Sequence, residues 1–316
     1  MENINAKGLS HGKIILMGEH AVVYGEPSIA LPFPAVEVIV DISPTEDATI
    51  IDCSYYSGIA AEMPEILQSL QTAINTALKS LGKERTPLAI AISSSIPPER
   101  GMGSSAAVSV AVTRALYNYF NEELDHTTLL NLVEVAERVA HGNPSGLDAI
   151  TTSGDSPVFF RKGHPFVPFD LRLNGYLVVG DTGVTGQTKA AVGSIATRMQ
   201  TNERAQTEKE IQLLGDLAEQ AKHYLETNQP ERLGTVMSQA HTLLADLGVS
   251  STDLNRLVDA AMNAGALGSK LTGGGRGGCM IALAGSEEEA KSISKALEDA
   301  GAVKTWITYL NQAVTV

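Results

Sequence analysis

The chain has 316 residues, room for about two domains, and its 43% hydrophobic and 19% charged residues argue against long disorder. Its 23 basic and 36 acidic residues give a net charge of -13, which opposes attraction to nucleic acid or to an anionic membrane and excludes both as principal partners. Two cysteines, Cys53 and Cys279, are too few for a disulfide framework and lack metal-ligand spacing.

The start of the chain has no basic segment followed by an apolar one, and no run of about 18 apolar residues occurs anywhere, so a reduced, cytoplasmic location is expected. In chain order, Ile14-Ile15-Leu16-Met17 reads as a short strand preceded by Lys13 and ended by the turn Gly18-Glu19-His20. Alternation of Val36, Val38, Val40 and Ile42 gives a second strand. Leu67, Leu70, Ile74, Leu78 and Leu81 recur at helical spacing before Gly82, and Leu88 to Ile92 returns to strand character. A helix is expected over 105–120, and another, capped by Asp125, runs to His141. A third contains Asp148 and would be capped by Asn143 or Ser145.

Around 163–173 the helical pattern lapses, which places a boundary near residue 172 and divides the chain into 1–172 and 173–316. The second half reads as strand 176–181, helices over 187–264, strands 266–271 and 279–283, helix 287–300 and strand 303–309. Ser286 and Glu289 form a capping box for the last helix. The fold class is α+β, and the second half has the order of a split βαβ, ferredoxin-like unit with inserted helices.

Three glycine-containing segments interrupt these elements. The first, Pro97-Pro98-Glu99-Arg100-Gly101-Met102-Gly103-Ser104-Ser105-Ala106-Ala107, lets backbone approach an anion and aims the free N–H groups of an Ala-rich helix at it. Ser104 and Ser105 are either phosphate and Mg²⁺ ligands at that junction or plain helix caps. The second, Asn143-Pro144-Ser145-Gly146-Leu147-Asp148, follows the helix carrying Glu137, so a turn can bring Glu137 and Asp148 to one site. One carboxylate can then hold a hard cation while the other receives a proton. In the third, Gly273-Gly274-Gly275-Arg276-Gly277-Gly278, five glycines in six residues exceed what a hairpin needs. The strand that follows argues against a dinucleotide fingerprint. There is no G-x-x-x-x-G-K-[ST] sequence and no H-E-x-x-H, and Gly103-Ser104-Ser105-Ala106-Ala107 lacks the second glycine of G-x-S-x-G. An acidic protein that binds polyphosphate must concentrate positive charge locally, and Lys13, Arg100, Lys189, Lys270 and Arg276 lie in or near these segments. These parts together suit phosphoryl transfer.

In this order the segments resemble the GHMP kinase superfamily. The stretch Gly12 to Gly25, containing Lys13-Ile14-Ile15-Leu16-Met17-Gly18-Glu19-His20, resembles those members that phosphorylate mevalonate. The resemblance covers the chain end to end. It implies an N-terminal domain of ribosomal protein S5 domain 2 type, a C-terminal GHMP domain, ATP bound between them, and transfer of its terminal phosphoryl group to the 5-hydroxyl of (R)-mevalonate. Phosphate contacts would come from Pro97, Gly101, Met102, Gly103, Ser104, Ser105 and Ala106, and from Gly273, Gly274 and Gly275. Ser105 and Glu137 would ligate Mg²⁺, Asp148 would be the base, and Lys13 would assist at the reacting hydroxyl. Glu19, His20 and Thr188 would form or support the acceptor pocket. Arg276 stands where many relatives carry a small residue and is expected to touch a phosphate or the lip of the cleft. Phosphomevalonate and homoserine kinases, and a non-catalytic nucleotide or metabolite sensor, remain alternatives. A homodimer is compatible with the sequence, although no feature specifies one.

Overall fold

The structure, a computed structural model, describes residues 5–142 and 144–311. Two sheets organise it. The first contains β1 (Ala6–Met17), β2 (Pro27–Pro44), β3 (Ile50–Cys53), β4 (Tyr56–Ile59), β5 (Leu88–Ser94), β6 (Val158–Arg161) and β7 (Val167–Pro168), in the order β4-β3-β5-β2-β6-β7 with β1 paired to β2. Against it lie α1 (Gln68–Leu81), α2 (Ser104–Tyr119) and α4 (Leu147–Ser153), with α3 (His126–His141) packed on α1 and α2.

The second sheet is four-stranded. It holds β8 (Tyr176–Asp181), β9 (Gly268–Thr272), β10 (Cys279–Ala284) and β11 (Lys304–Tyr309) in the order β11-β8-β10-β9, every pair antiparallel. Helices α5 (Thr188–Arg198), α6 (Arg204–Glu226), α7 (Pro230–Asp246) and α8 (Thr252–Asn263) are inserted between β8 and β9, and α9 (Glu287–Asp299) joins β10 to β11. This is the split βαβ arrangement expected from the sequence. β10 is buried at every position, which accounts for its unbroken apolar run, and the Ser286–Glu289 capping box forms as read.

Several features differ from expectation. β1 begins at Ala6, so Lys13 lies inside the strand; the register against β2 shifts between His11 and Gly12, and this bulge re-aims the residues that follow. β2 runs through Pro32 and Pro34 because these fall between its partners β6 and β5, where only β1 pairs with it. The β3–β4 hairpin was not anticipated. α4 is capped by Gly146 at φ 80; Ser145 accepts only a side-chain bond from the Leu147 N–H, and Asn143 lies outside the described residues. Among the described residues no helix is long and apolar enough to cross a membrane.

What positions the site is α2. Ala106, Ala107, Val110, Ala111 and Ala115 are fully buried, and a side chain at Gly8 of β1 would run into the Ala111 carbonyl. Small residues on both elements let helix and strand backbones touch, which fixes where the helix begins.

Candidate active site

A cleft of about 1960 Å³ lies where the three glycine segments meet. The first and third abut: a Cβ on Gly101 would sit 3.2 Å from the Gly273 Cα, and Gly186 N–H donates to the Glu99 carbonyl while Gln187 N–H donates to that of Gly275. A side chain on Gly274 would overlap Thr188 at the start of α5, so that glycine is required by close approach.

Gly103, at φ 73, is the cap residue of α2 and supplies no side-chain acceptor, so the helix's first N–H groups face the cleft without a capping bond. Ser104 and Ser105 are the first two helical residues, which removes the plain-cap alternative for them and leaves the N–H groups of that turn able to meet an anion. The loop is anchored to the strand beside it, because Lys13 N–H donates to the Met102 carbonyl at 3.0 Å.

Lys13 is buried, and its Nζ lies 3.0 Å from Asp148 Oδ1, whose side chain is 37% exposed toward the cleft. Glu137, on α3, is buried beside them. Burial raises its pKa, the Ser105 hydroxyl and His141 draw it down, Asp148 pushes it up and Lys13 lowers it. Its Oε1 has no hydrogen-bond partner among the described residues. At the other side Glu19 and His20 form the turn after β1. His20, at φ 61, donates from Nε2 to the Gly274 carbonyl at 3.1 Å, and burial pushes its pKa down to about 4, so the ring is neutral at physiological pH.

The structure thus brings Lys13, Glu19, His20, Pro97, Gly101, Met102, Gly103, Ser104, Ser105, Glu137, Asp148, Thr188, Gly273 and Gly274 to one cleft. Two expected phosphate contacts do not line it. Ala106 is fully buried, and Gly275 is held against the Val249 carbonyl.

The expected positive charges also sort themselves. Arg100 reaches away to Asp181 Oδ1 (2.9 Å) and the Gly183 carbonyl (2.9 Å), tying the first glycine loop to the second sheet. Arg276 bonds the Gly248 carbonyl and Ser194 Oγ and does not line the cleft. Lys270 is fully buried against Glu19. Lys189 is exposed on the cleft wall. Residues that sequence reasoning did not single out also line the cleft, among them Ser28, Tyr55, Ile66, Asn131 and Glu134. They come from β2, a hairpin, a short turn before α1 and a face of α3, none with motif character; the 84% exposure of Ile66 is visible only in the folded chain.

Comparison with known proteins identifies the family. Residues 68–154 match the GHMP kinases N terminal domain and residues 221–303 the GHMP kinases C terminal domain. The chain is 34% identical to a mevalonate kinase of Pyrococcus furiosus, over 92% of this chain and 91% of that protein. Among solved structures, it superposes on a mevalonate kinase from methicillin-resistant Staphylococcus aureus with TM-score 0.77, at 36% identity and covering 98% of this chain and 99% of that one. A mevalonate kinase of L. major in complex with R-mevalonate superposes with TM-score 0.85 at 28% identity, covering 97% of each chain. With both domain models matched in order and a curated relative covered almost throughout, the chain belongs to the GHMP kinase family and, within it, to the mevalonate kinases.

Proposed function

We propose that this cleft transfers the terminal phosphoryl group of ATP to the 5-hydroxyl of (R)-mevalonate, giving 5-phosphomevalonate, an early step towards isoprenoid diphosphates. The observation that carries it is the Lys13–Asp148 pair at 3.0 Å, set between the anion-cradling start of α2 and the Glu19–His20 turn. The printed description of the L. major structure, a complex with R-mevalonate, supports the acceptor.

The triphosphate rests against Gly101, Met102, Gly103, Ser104 and Ser105, with Gly273 and Gly274 closing from the opposite side. Backbone N–H groups and the positive end of α2 hold its oxygens. Asp148 takes the proton of the acceptor hydroxyl as oxygen bonds to phosphorus. Lys13 fixes that carboxylate and offers positive charge where the transferring group becomes most negative. Glu19, His20 and Thr188 hold the rest of the acceptor. Positioning and charge neutralisation supply most of the acceleration, since this transfer asks little covalent chemistry of the protein.

The residues present fit Mg²⁺. A buried carboxylate oxygen without a partner, Glu137 Oε1, next to the Ser105 hydroxyl is the donor set a hard cation takes when it keeps its remaining positions for water and phosphate. Bound there, Mg²⁺ supplies neutralisation of phosphate charge.

A domain boundary near residue 172 is supported by the chain leaving the first sheet at Pro168 and entering the second at Tyr176. A reduced, cytoplasmic setting is supported by the two free cysteines. The function is tested by coupled ADP release with mevalonate, phosphomevalonate, homoserine and galactose. Mevalonate is expected to exceed the others by at least about a hundredfold in kcat/KM. Preference for another acceptor, or no turnover with any, would reject the assignment.

A further inference from the structure

One buried lysine, paired with the Glu19 carboxylate, has no role of its own in the transfer. Lys270 on β9 is fully buried, and its Nζ donates to a Glu19 carboxylate oxygen and to the Leu271 carbonyl at 2.7 Å. Burial raises the Glu19 pKa and lowers that of Lys270, and each opposes the other's shift. Such a pair is a poor source of stability, because desolvating two ions costs several kcal/mol and apolar replacements are often as stable.

Its placement suggests another use. Lys270 and Thr272 are two residues apart and face the same side of β9. Thr272 Oγ1 donates to the Ile15 carbonyl at 2.8 Å, and the Gly274 carbonyl accepts from His20. Alternate residues of the second domain therefore grip the end of β1 and the turn after it. With Nε2 donating, neutral His20 presents a bare Nδ1, which has no partner among the described residues. The same holds for Glu19 Oε2. Two free acceptors on adjacent residues suit a ligand that brings hydroxyl donors. The charged groups acting on the Glu19 carboxylate are Lys270 and, more weakly, Lys13.

We propose that Lys270 is a positioning residue for the acceptor: from the second domain it keeps the Glu19 carboxylate ionised and oriented, so that Oε2 accepts an acceptor hydroxyl. This rests on Glu19 belonging to the acceptor pocket. Lys270 does not line the cleft, so it acts only through Glu19.

The test is steady-state kinetics of the full chain. Lys270→Met is expected to raise the KM for mevalonate at least about tenfold, leaving the KM for ATP within about twofold and kcat within about threefold. Lys270→Met/Glu19→Gln should recover thermal stability yet show the mevalonate KM of Glu19→Gln alone, the non-additivity of residues acting as one unit. If Lys270→Met does not fold, the doubly neutral variant still decides, because a mevalonate KM clearly above that of Glu19→Gln contradicts the proposal. Parallel loss of both KM values and kcat would mark mere packing and overturn it, as would an unchanged mevalonate KM. An unchanged mevalonate KM in Glu19→Gln would instead remove the acceptor-pocket assignment on which the proposal rests.

Discussion

Gly103→Ala tests how tightly the first glycine loop and the Lys13–Asp148 pair are joined. At φ 73 an L side chain is strained by roughly 1–2 kcal/mol. The new Cβ would lie 2.8 Å from Lys13 Cγ, 3.1 Å from Thr152 Cγ2 and 3.3 Å from Lys13 Cε. Reaching an ordinary carbon contact requires Lys13 to withdraw by about 0.6 Å. Lys13 is only 5% exposed and its backbone N–H is held by Met102, so the retreat falls on Nζ and its 3.0 Å contact with Asp148. Displacements on the scale of 1 Å at a reacting centre cost roughly a hundredfold. Coupled ADP release should therefore show kcat reduced about 30- to 100-fold, with a loss of only roughly 1–2 kcal/mol in chemical denaturation. A folded variant turning over within about threefold of the parent would refute the claim that loop and lysine share one fixed geometry.

Glu137→Gln should raise the Mg²⁺ concentration for half-maximal activity at least about tenfold without lowering the melting temperature, since it removes a buried charge; an unchanged Mg²⁺ titration contradicts its role. His20 is neutral in the fold with a pKa of about 4 against 6.5 when exposed, so the unfolded chain binds more protons between those values and stability falls as pH falls through that window. His20→Asn should lose roughly 2 kcal/mol less than the parent between about pH 7 and 4.5, as read by denaturation at both; equal losses would contradict the buried neutral ring. Arg100→Ala removes the charged partner of the nearly buried Asp181 carboxylate, leaving it only the Gly183 N–H, and should cost roughly 2–3 kcal/mol in denaturation, with a raised KM for ATP; full stability would show that the loop needs no tether.

The second sheet was legible because its signals are local. Tyr176 to Asp181 and Cys279 to Ala284 are apolar runs bounded by glycine or turn residues, and both halves of the Ser286–Glu289 box lie within four residues. The first half of β1 was not, since Gly8, His11 and Gly12 break the apolar pattern for reasons that lie elsewhere: α2 packs on Gly8, and Val36 fills the space where a Gly12 side chain would stand. In the site, the glycine loops and Asp148 could be picked out, but the fates of the cations could not. Lys270 meets a carboxylate 251 positions away and Arg100 one 81 away, so whether each faces phosphate or protein depends on domain packing that no window of sequence contains. The Gly146 cap was missed for a different reason: Ser145 is the better cap by side-chain chemistry, but the chain needs a positive φ one residue later.

The most direct measurement of the central claim is Asp148→Asn, assayed for turnover with mevalonate and, by calorimetry, for nucleotide binding. Asparagine keeps the shape beside Lys13 but cannot take the hydroxyl proton, so kcat should fall by about a thousandfold or more while the affinity for ATP stays within about threefold. Near-parental turnover in a variant that binds ATP normally would contradict the assignment of Asp148 as the base.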